Sequence, residues 1–308
     1  MNWSISSHKT FNHCQRQWFY KFIVADGRVK KIPERVEITR LSKLKTIDAW
    51  RGEIVDRAIS ETMVNLIRQK RRVTMNDLMS FSNNVFEKQY NAILGKWDGW
   101  KPTFGFIDSE FNREIKKEKI EQAKEDIRLS FTNLLNNDLL MKELYDSDIL
   151  FSQCSLSYKF GEILIRGTPD LLVFYKSKPP KIFDWKVHTF GSHSNEEQLI
   201  LYAYLLKMGT HHSNFPDYLL KYKIEDIALS EVQLIANETG YTRDYQITED
   251  KIKNLEELIS SSMLSMYGVS EFKKYGEIQA SDFNITKYGD GDNCTNCAFK
   301  KLCNQVES

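Results

Sequence analysis

The sequence predicts an α/β fold. Three observations carry that reading. "CSLSYKF" (154–160) alternates apolar and polar residues with a period of two, the pattern of a half-buried strand. "ILIRGTPDLLVFY" and "KIFDWKV" follow as further short runs rich in β-branched and aromatic residues, set off by Gly and Pro. On either side lie longer segments that read as helices.

Taken in order, residues 1–24 read as a short helix with Ser7 as N-cap and an aromatic stretch, Trp18-Phe19-Tyr20. Residues 25–45 read as irregular and rich in Lys and Arg. "TIDAWRGEIVDRAISETMVNLI" places a helix over about 46–69. Residues 74–146 read as mostly helical and polar, a helical insertion or lobe within a single domain spanning 1–308. Phe160-Gly161-Glu162 is a turn between the first two strands. "SNEEQLILYAYLLKMG" opens on a cap-like Ser194 with Glu197 three residues on, turns apolar, and can end at Gly209. "ALSEVQLIAN" (228–237) reads as another strand and about 248–267 as another helix. The tail, 290–308, is rich in cysteine. No internal repeat or low-complexity linker interrupts the chain.

Composition excludes several classes. With 28% charged and 41% hydrophobic residues the chain has an ordinary globular balance, and no apolar run is long enough to span a membrane. The first residues lack the pattern of a signal peptide, so a cytoplasmic protein is expected. The net charge of +1 does not announce a nucleic-acid partner, so any basic groove must be local. "RQKRR" (68–72) and Lys30-Lys31 are such patches, readable as solvated faces or as tracks for a phosphate backbone. In a cytosolic chain five cysteines read as ligands or single buried residues rather than disulfides.

The chemistry concentrates in "GTPDLLVFYKSKPPKIFDWKV" (167–187). In a strand, Phe183, Trp185 and Val187 share one face, and Asp184 and Lys186 share the other. Asp170 lies in the neighbouring run, directly after Pro169. An ion pair within a sheet is one reading. The other is that two carboxylates on adjacent strands converge on a hard cation such as Mg²⁺, which takes few protein carboxylates and accepts phosphate oxygens. Lys186 would then orient or deprotonate a water.

Pro169-Asp170, thirteen intervening residues, then Asp184-Trp185-Lys186 resembles the signature of the PD-(D/E)XK nucleases. Gln198 and Tyr202, spaced i, i+4 on the next helix, also read as part of an amphipathic packing face, but they resemble the additional motif of the RecB-like branch. "GEIVD" (52–56) stands where that branch carries Gly-x-x-Val/Ile-His, with Asp56 in the place of the histidine. Asp is a reasonable ligand for Mg²⁺ or Mn²⁺, and Glu53, one turn earlier, is the alternative. The resemblance implies a restriction-endonuclease-like mixed central sheet flanked by helices. It further implies that Asp170, Asp184 and the backbone carbonyl of Trp185 hold Mg²⁺ or Mn²⁺ with Asp56, that Lys186 positions water, and that Gln198 and Tyr202 complete the site.

Cys294, Cys297 and Cys303 form a C-x2-C-x5-C tail, a strong ligation signal that supplies three thiolates. Cys14 in "SHKTFNHCQRQWFYKF" is the natural fourth, while Cys154 reads as a core residue. One cysteine near the start and three at the end is similar to the iron–sulfur subset of RecB-like nucleases, which includes the AddB nuclease domain and CRISPR-associated exonucleases. That likeness implies a [4Fe–4S] cluster joining 1–24 to 290–308, although four thiolates equally suit zinc.

The implied activity is Mg²⁺- or Mn²⁺-dependent DNA cleavage, most simply exonucleolytic on single strands or ends, in DNA repair, CRISPR adaptation or anti-phage defence. No P-loop motif is present, so travel along duplex DNA would need a separate helicase. The alternative is a cluster-bearing scaffold that binds DNA or a partner protein and has weakened catalysis.

Overall fold

The computed structural model describes residues 2–95, 104–187, 195–209, 214–236, 241–269, 277–285 and 294–306. Its main helices are α1 (Ile5–His13), α2 (Pro33–Leu41), α3 (Ile47–Ala58), α4 (Met75–Ile93), α5 (Lys117–Asn136), α6 (Asp138–Tyr145), α7 (Glu196–Met208), α8 (Glu249–Val269) and α9 (Lys300–Val306). Its main strands are β1 (Ile149–Ser152), β2 (Leu156–Phe160), β3 (Ile163–Gly167), β4 (Leu171–Phe174), β5 (Lys181–Lys186), β6 (Ala228–Gln233) and β7 (Tyr241–Tyr245). The chain divides into two compact units. One comprises residues 1–2, 47–90 and 117–257; the other comprises 3–46, 91–116 and 258–308.

The first unit is the α/β body. Its five-stranded sheet runs β1-β4-β5-β6-β7 and is mixed: β5 and β6 are parallel, and every other pairing is antiparallel. A parallel pair needs a crossover, and α7 lies in the connection from β5 to β6. Leu199 through Leu206 are all buried, the mark of a helix that is apolar all round. β2 and β3 form an antiparallel hairpin, turned at Gly161 with φ +58°, a left-handed conformation that glycine adopts at little cost. Gly167 ends that hairpin where α7 comes closest: a β-carbon there would sit 2.8 Å from Leu205 and 2.9 Å from the Tyr202 ring. The sheet centre is apolar on both faces, with Leu171–Phe174, Ile182 and Phe183 buried.

α3 continues through a π-helical turn, Ile59–Met63, into a last helical turn at Val64–Arg68. It packs on α5 through Arg51, which contacts Asp126 and donates to the carbonyl of Val187 at 2.7 Å. Gln122 donates to the other oxygen of Asp126 at 2.8 Å. Trp50 stacks among Phe86 and Tyr90 of α4 and donates to Gln89 at 2.6 Å.

In the second unit an aromatic core gathers around Phe283. Phe19 stacks on it with ring centroids 4.8 Å apart, and Trp18 tilts against it at 5.8 Å. Arg16 donates to the carbonyls of Ala280 and Phe283. Lys301 and Arg40 converge on Glu110.

The mixed sheet flanked by helices matches the predicted fold class. Several local readings need correction. Ser4, not Ser7, caps α1: its hydroxyl accepts from the Ser7 amide at 3.2 Å, while Ser7 is buried and accepts from the Trp18 indole at 3.0 Å. Residues 33–41, expected to be irregular, form α2, started by Pro33 at a position where the missing amide costs nothing. β1 and β7 were not foreseen. Cys154 lies before β2 and is half-buried rather than part of the strand core. Ser194 lies outside the described residues; Gly209 does end α7.

Candidate active site

The site is assembled on β5 and its neighbours, within the first unit. Alternation along β5 puts the rings of Phe183 and Trp185 on one face, parallel to within 6° and 5.7 Å apart. Asp184 and Lys186 share the opposite face and are in direct contact. The β4–β5 register pairs Leu171 with Phe183, so Asp170, one residue before β4, falls beside Asp184. Its Oδ2 accepts the Trp185 amide at 2.9 Å. α7 brings Gln198, whose amide donates to Asp184 Oδ1 at 3.2 Å and to the Tyr202 hydroxyl at 2.7 Å. α3 supplies Asp56. An open cleft of about 490 Å³ is lined by Asp56, Asp170, Asp184, Lys186, Gln198 and Glu53, among others. Six side chains singled out from the sequence (Asp56, Asp170, Asp184, Lys186, Gln198, Tyr202) are thus brought together, Tyr202 standing behind Gln198. For Trp185 the contact seen is made by its amide N–H.

The cleft concentrates negative charge. Burial first, then Asp184 and Asp56, push the Asp170 carboxyl well above its ordinary range. Burial likewise raises Asp184, and Lys186 only partly offsets this. Asp56 is pushed up to about 6, chiefly by burial and further by Asp184 and Glu53, against the Gln153 hydrogen bonds that lower it. Burial alone would lower Lys186, but Asp184 outweighs it and holds the ammonium above its usual value. Lys186 is therefore a cation and a donor. Burial, Asp184 and Asp170 raise Tyr202, so it stays a neutral phenol.

Two further residues belong to the site. Glu231 on β6 is fully buried and pairs in register with Asp184. Its carboxylate accepts from Asn195 at 2.8 Å and Gln233 at 3.0 Å; burial opposes ionisation, but these donors and Lys186 hold its pKa down. The signal was available, a lone acid inside the apolar run "ALSEVQLIAN". Gln153, in the β1–β2 connection, donates to both oxygens of Asp56 at 2.9 Å and to Asp170 Oδ1 at 3.2 Å. Nothing in its sequence surroundings marks it.

Among the described residues no group of three or more His, Cys, Asp or Glu side chains stands ready arranged around a metal ion. The donor chemistry of the cleft nevertheless suits a hard divalent cation. Asp56, Asp170 and Asp184 are oxygen donors, Asp184 raising the pKa of the other two, and the buried Asp184 Oδ2 accepts no well-directed hydrogen bond although the Lys186 ammonium is beside it.

The cysteines lie in the second unit. Cys14 ends α1 in an extended conformation, Cys294 and Cys297 share a turn closed by a 3.3 Å backbone hydrogen bond, and Cys303 sits on α9. They are not ready arranged as a metal-holding group among the described residues, but Cys14 acts on both Cys297 and Cys303. Burial first, then Cys14 and Cys294, push the Cys297 thiol up to about 11. Burial, then Cys297 and Cys14, push Cys303 up to about 12, with Arg16 opposing.

A family model described as the PD-(D/E)XK nuclease superfamily matches residues 2–304. No curated protein matches the chain. Among solved structures, a candidate exonuclease from Eubacterium rectale is similar at a TM-score of 0.34 and 10% identity, over 86% of this chain and 92% of that one. The crystal structure of SSO0001 is similar at a TM-score of 0.30 and 11% identity, over 64% of this chain and 78% of that one.

Proposed function

The chain belongs to the PD-(D/E)XK nuclease superfamily, and from that premise we propose that it is a Mg²⁺- or Mn²⁺-dependent deoxyribonuclease that trims single strands or exposed DNA ends. The observation carrying this reading is the convergence of Asp170, Asp184, Lys186 and Gln198 on one cleft, with Asp170 fixed by the Trp185 amide. Asp170 and Asp184 are the proposed ligands, with Asp56 in the third position and the Trp185 carbonyl as a further oxygen. A divalent cation bound there would polarise the phosphate and acidify a nearby water.

The chain's own groups have distinct tasks in this reading. The Lys186 ammonium balances the carboxylates and orients the attacking water through its N–H donors. Gln198 holds Asp184 and is itself held by Tyr202, so the ligand keeps its rotamer. Asp170 cannot turn without losing the Trp185 amide.

We assign the chain to the RecB-like iron–sulfur branch, with Cys14, Cys294, Cys297 and Cys303 holding a [4Fe–4S] cluster and zinc as the alternative. The C-x2-C-x5-C spacing of the tail, together with the influence of Cys14 on both Cys297 and Cys303, supports this reading; iron and zinc would be equally served by four thiolates. The partners are DNA and, for travel along duplex, a separate helicase. The setting is DNA repair, CRISPR adaptation or anti-phage defence in the cytoplasm.

A second reading, a DNA- or partner-binding scaffold with weakened catalysis, is favoured by one observation: Asp56 stands in the histidine position. The test is incubation with Mg²⁺ or Mn²⁺ and linear or circular DNA, each end blocked in turn. Cleavage of linear DNA that stops when one end is blocked supports the exonuclease. Binding without cleavage in either metal supports the scaffold.

A further inference from the structure

We propose that Gln153 is a built-in stand-in for the cation: its side-chain amide holds Asp56 and Asp170 together while no cation is bound, and it competes with the cation for their oxygens. The inference rests on the reading of this cleft as a divalent-cation site.

Three observations support it. First, one NH2 group faces three carboxylate oxygens, two on Asp56 at 2.9 Å and one on Asp170 at 3.2 Å. An amide has two N–H donors, so at least one oxygen is underserved. A single electropositive centre shared by two acids from α3 and the β4 edge is the arrangement a cation would adopt. Second, the main chain of Gln153 is committed to this place. Its φ is +52°, a left-handed conformation uncommon for a non-glycine residue, and its amide donates to the Asp170 carbonyl at 3.1 Å. The backbone is thereby tied to one of the acids that the side chain serves. Third, Gln153 is exposed, so its side chain can swing into solvent without unpacking anything. A neutral amide also leaves the net charge of the acids uncompensated, so a divalent cation displaces it.

The consequence is a linkage with a definite sign. Hydrogen bonds that exist only in the cation-free protein stabilise that state and oppose binding. Removing them must destabilise the cation-free protein and tighten the cation. A residue that merely props up the loop would destabilise both states and leave affinity unchanged or weaker.

The test uses the full chain at fixed neutral pH, comparing wild type with Gln153→Leu. Mn²⁺ affinity is read by calorimetry and unfolding is read in EDTA and in saturating Mn²⁺. The modest net worth of hydrogen bonds made by an exposed amide leads us to expect Mn²⁺ to bind the variant about three- to tenfold more tightly. The variant should melt lower than wild type in EDTA, and the gap should close in Mn²⁺. Gln153→Gly, which suits the left-handed backbone, makes the same comparison should the leucine variant fail to fold. Equal or weaker Mn²⁺ binding in the variant that folds overturns the role of Gln153 and leaves the cation site standing. No Mn²⁺ binding by wild type overturns both.

Discussion

Two clusters of potential ligands, acids in one unit and thiols in the other, are surrounded by different groups. The acids of the first unit are embedded in donors. The Trp185 amide serves Asp170, Gln198 serves Asp184, Gln153 serves Asp56 and Asp170, and Lys186 supplies a full positive charge. Among the described residues the thiols of the second unit meet fewer donors, the Phe299 amide at Cys297 and Arg16 at Cys303, each opposing the rise of a thiol pKa. The contrast teaches which site depends on its ligand. Carboxylates surrounded by donors hold their geometry without a cation, whereas thiols with few donors would, on the proposed ligand set, depend on the metal or cluster to become a fixed point.

The largest expected effect tests that dependence. On the proposed ligand set, Cys14→Ser removes one of four ligands and, with it, the crosslink over the 14–303 loop. We expect the second unit to lose stability by at least about 5 kcal/mol, as when a structural metal or long-loop crosslink is lost. Limited proteolysis should then cut within α1 and α9, and any metal or iron colour should be lost on purification. Cys154→Ser, outside the cluster, should change neither. A Cys14→Ser protein as protease-resistant as wild type would remove the contrast between the clusters.

In the first unit the effect should fall on activity instead. Asp184→Asn and Lys186→Met should each lower DNA cleavage by about 10²–10⁴-fold, the usual weight of a group acting in proton transfer or water orientation. Asp184→Asn should leave the melting temperature in EDTA nearly unchanged, because relief from the neighbouring acids offsets the lost contact with Lys186. Full activity in Asp184→Asn would reject the site assignment.

Next comes the frame beneath the acids. Arg51 and Asp126 are both buried and pair across α3 and α5, with Arg51 also holding the end of β5 through Val187. Asp126→Ala leaves a buried guanidinium with only the exposed Asp48 at 3.4 Å as its acid, so a loss of about 3 kcal/mol is expected in urea denaturation. Glu125→Ala breaks the exposed neighbouring pair with Arg128 and should cost less than about 1 kcal/mol. Equal effects would mean that burial does not set the value of these pairs.

The legible parts of this molecule were those written in local spacing. Alternation along "KIFDWKV" gave the two faces of β5, and the i, i+4 interval gave Gln198 and Tyr202 their common direction. What the sequence could not carry was convergence from segments with no periodic or motif signal. Gln153 reaches Asp56 across 97 positions from a loop, and Arg51 reaches Asp126 across 75. α2 was missed because its charged residues hide a weak apolar stripe, only Ile38 and Leu41 being buried. β7 was missed because its alternation is dominated by exposed residues. Glu231 was legible and overlooked, since its lone charge in an apolar run repeats the signal that singled out Asp184.

The smallest effect separates the clusters by pH. In the absence of metal, each contains acids whose folded pKa lies above the ordinary value, so the folded chain binds protons more readily than the unfolded one. Stability is then fully present below the unfolded pKa and is lost as pH rises through the folded pKa. For Asp56 the window runs from an ordinary carboxyl value near 3.8 up to about 6. For Cys297 it runs from an ordinary thiol value of 9.0 up to about 11. Urea denaturation in EDTA should therefore show one decline between about pH 4 and 6 and another above pH 9. With Asp56 half-buried, its share should be on the order of 1–2 kcal/mol. Asp56→Asn should shrink the lower decline and leave the upper one, with Asp170 and Asp184 carrying the remainder, and Cys297→Ser should shrink only the upper one, with Cys303 carrying the remainder. Saturating Mn²⁺ should reverse the sign of the lower limb, because a cation binds the deprotonated acids and stabilises the folded chain more as pH rises. A lower decline that survives both Asp56→Asn and Mn²⁺ would place its origin outside the carboxylate cleft.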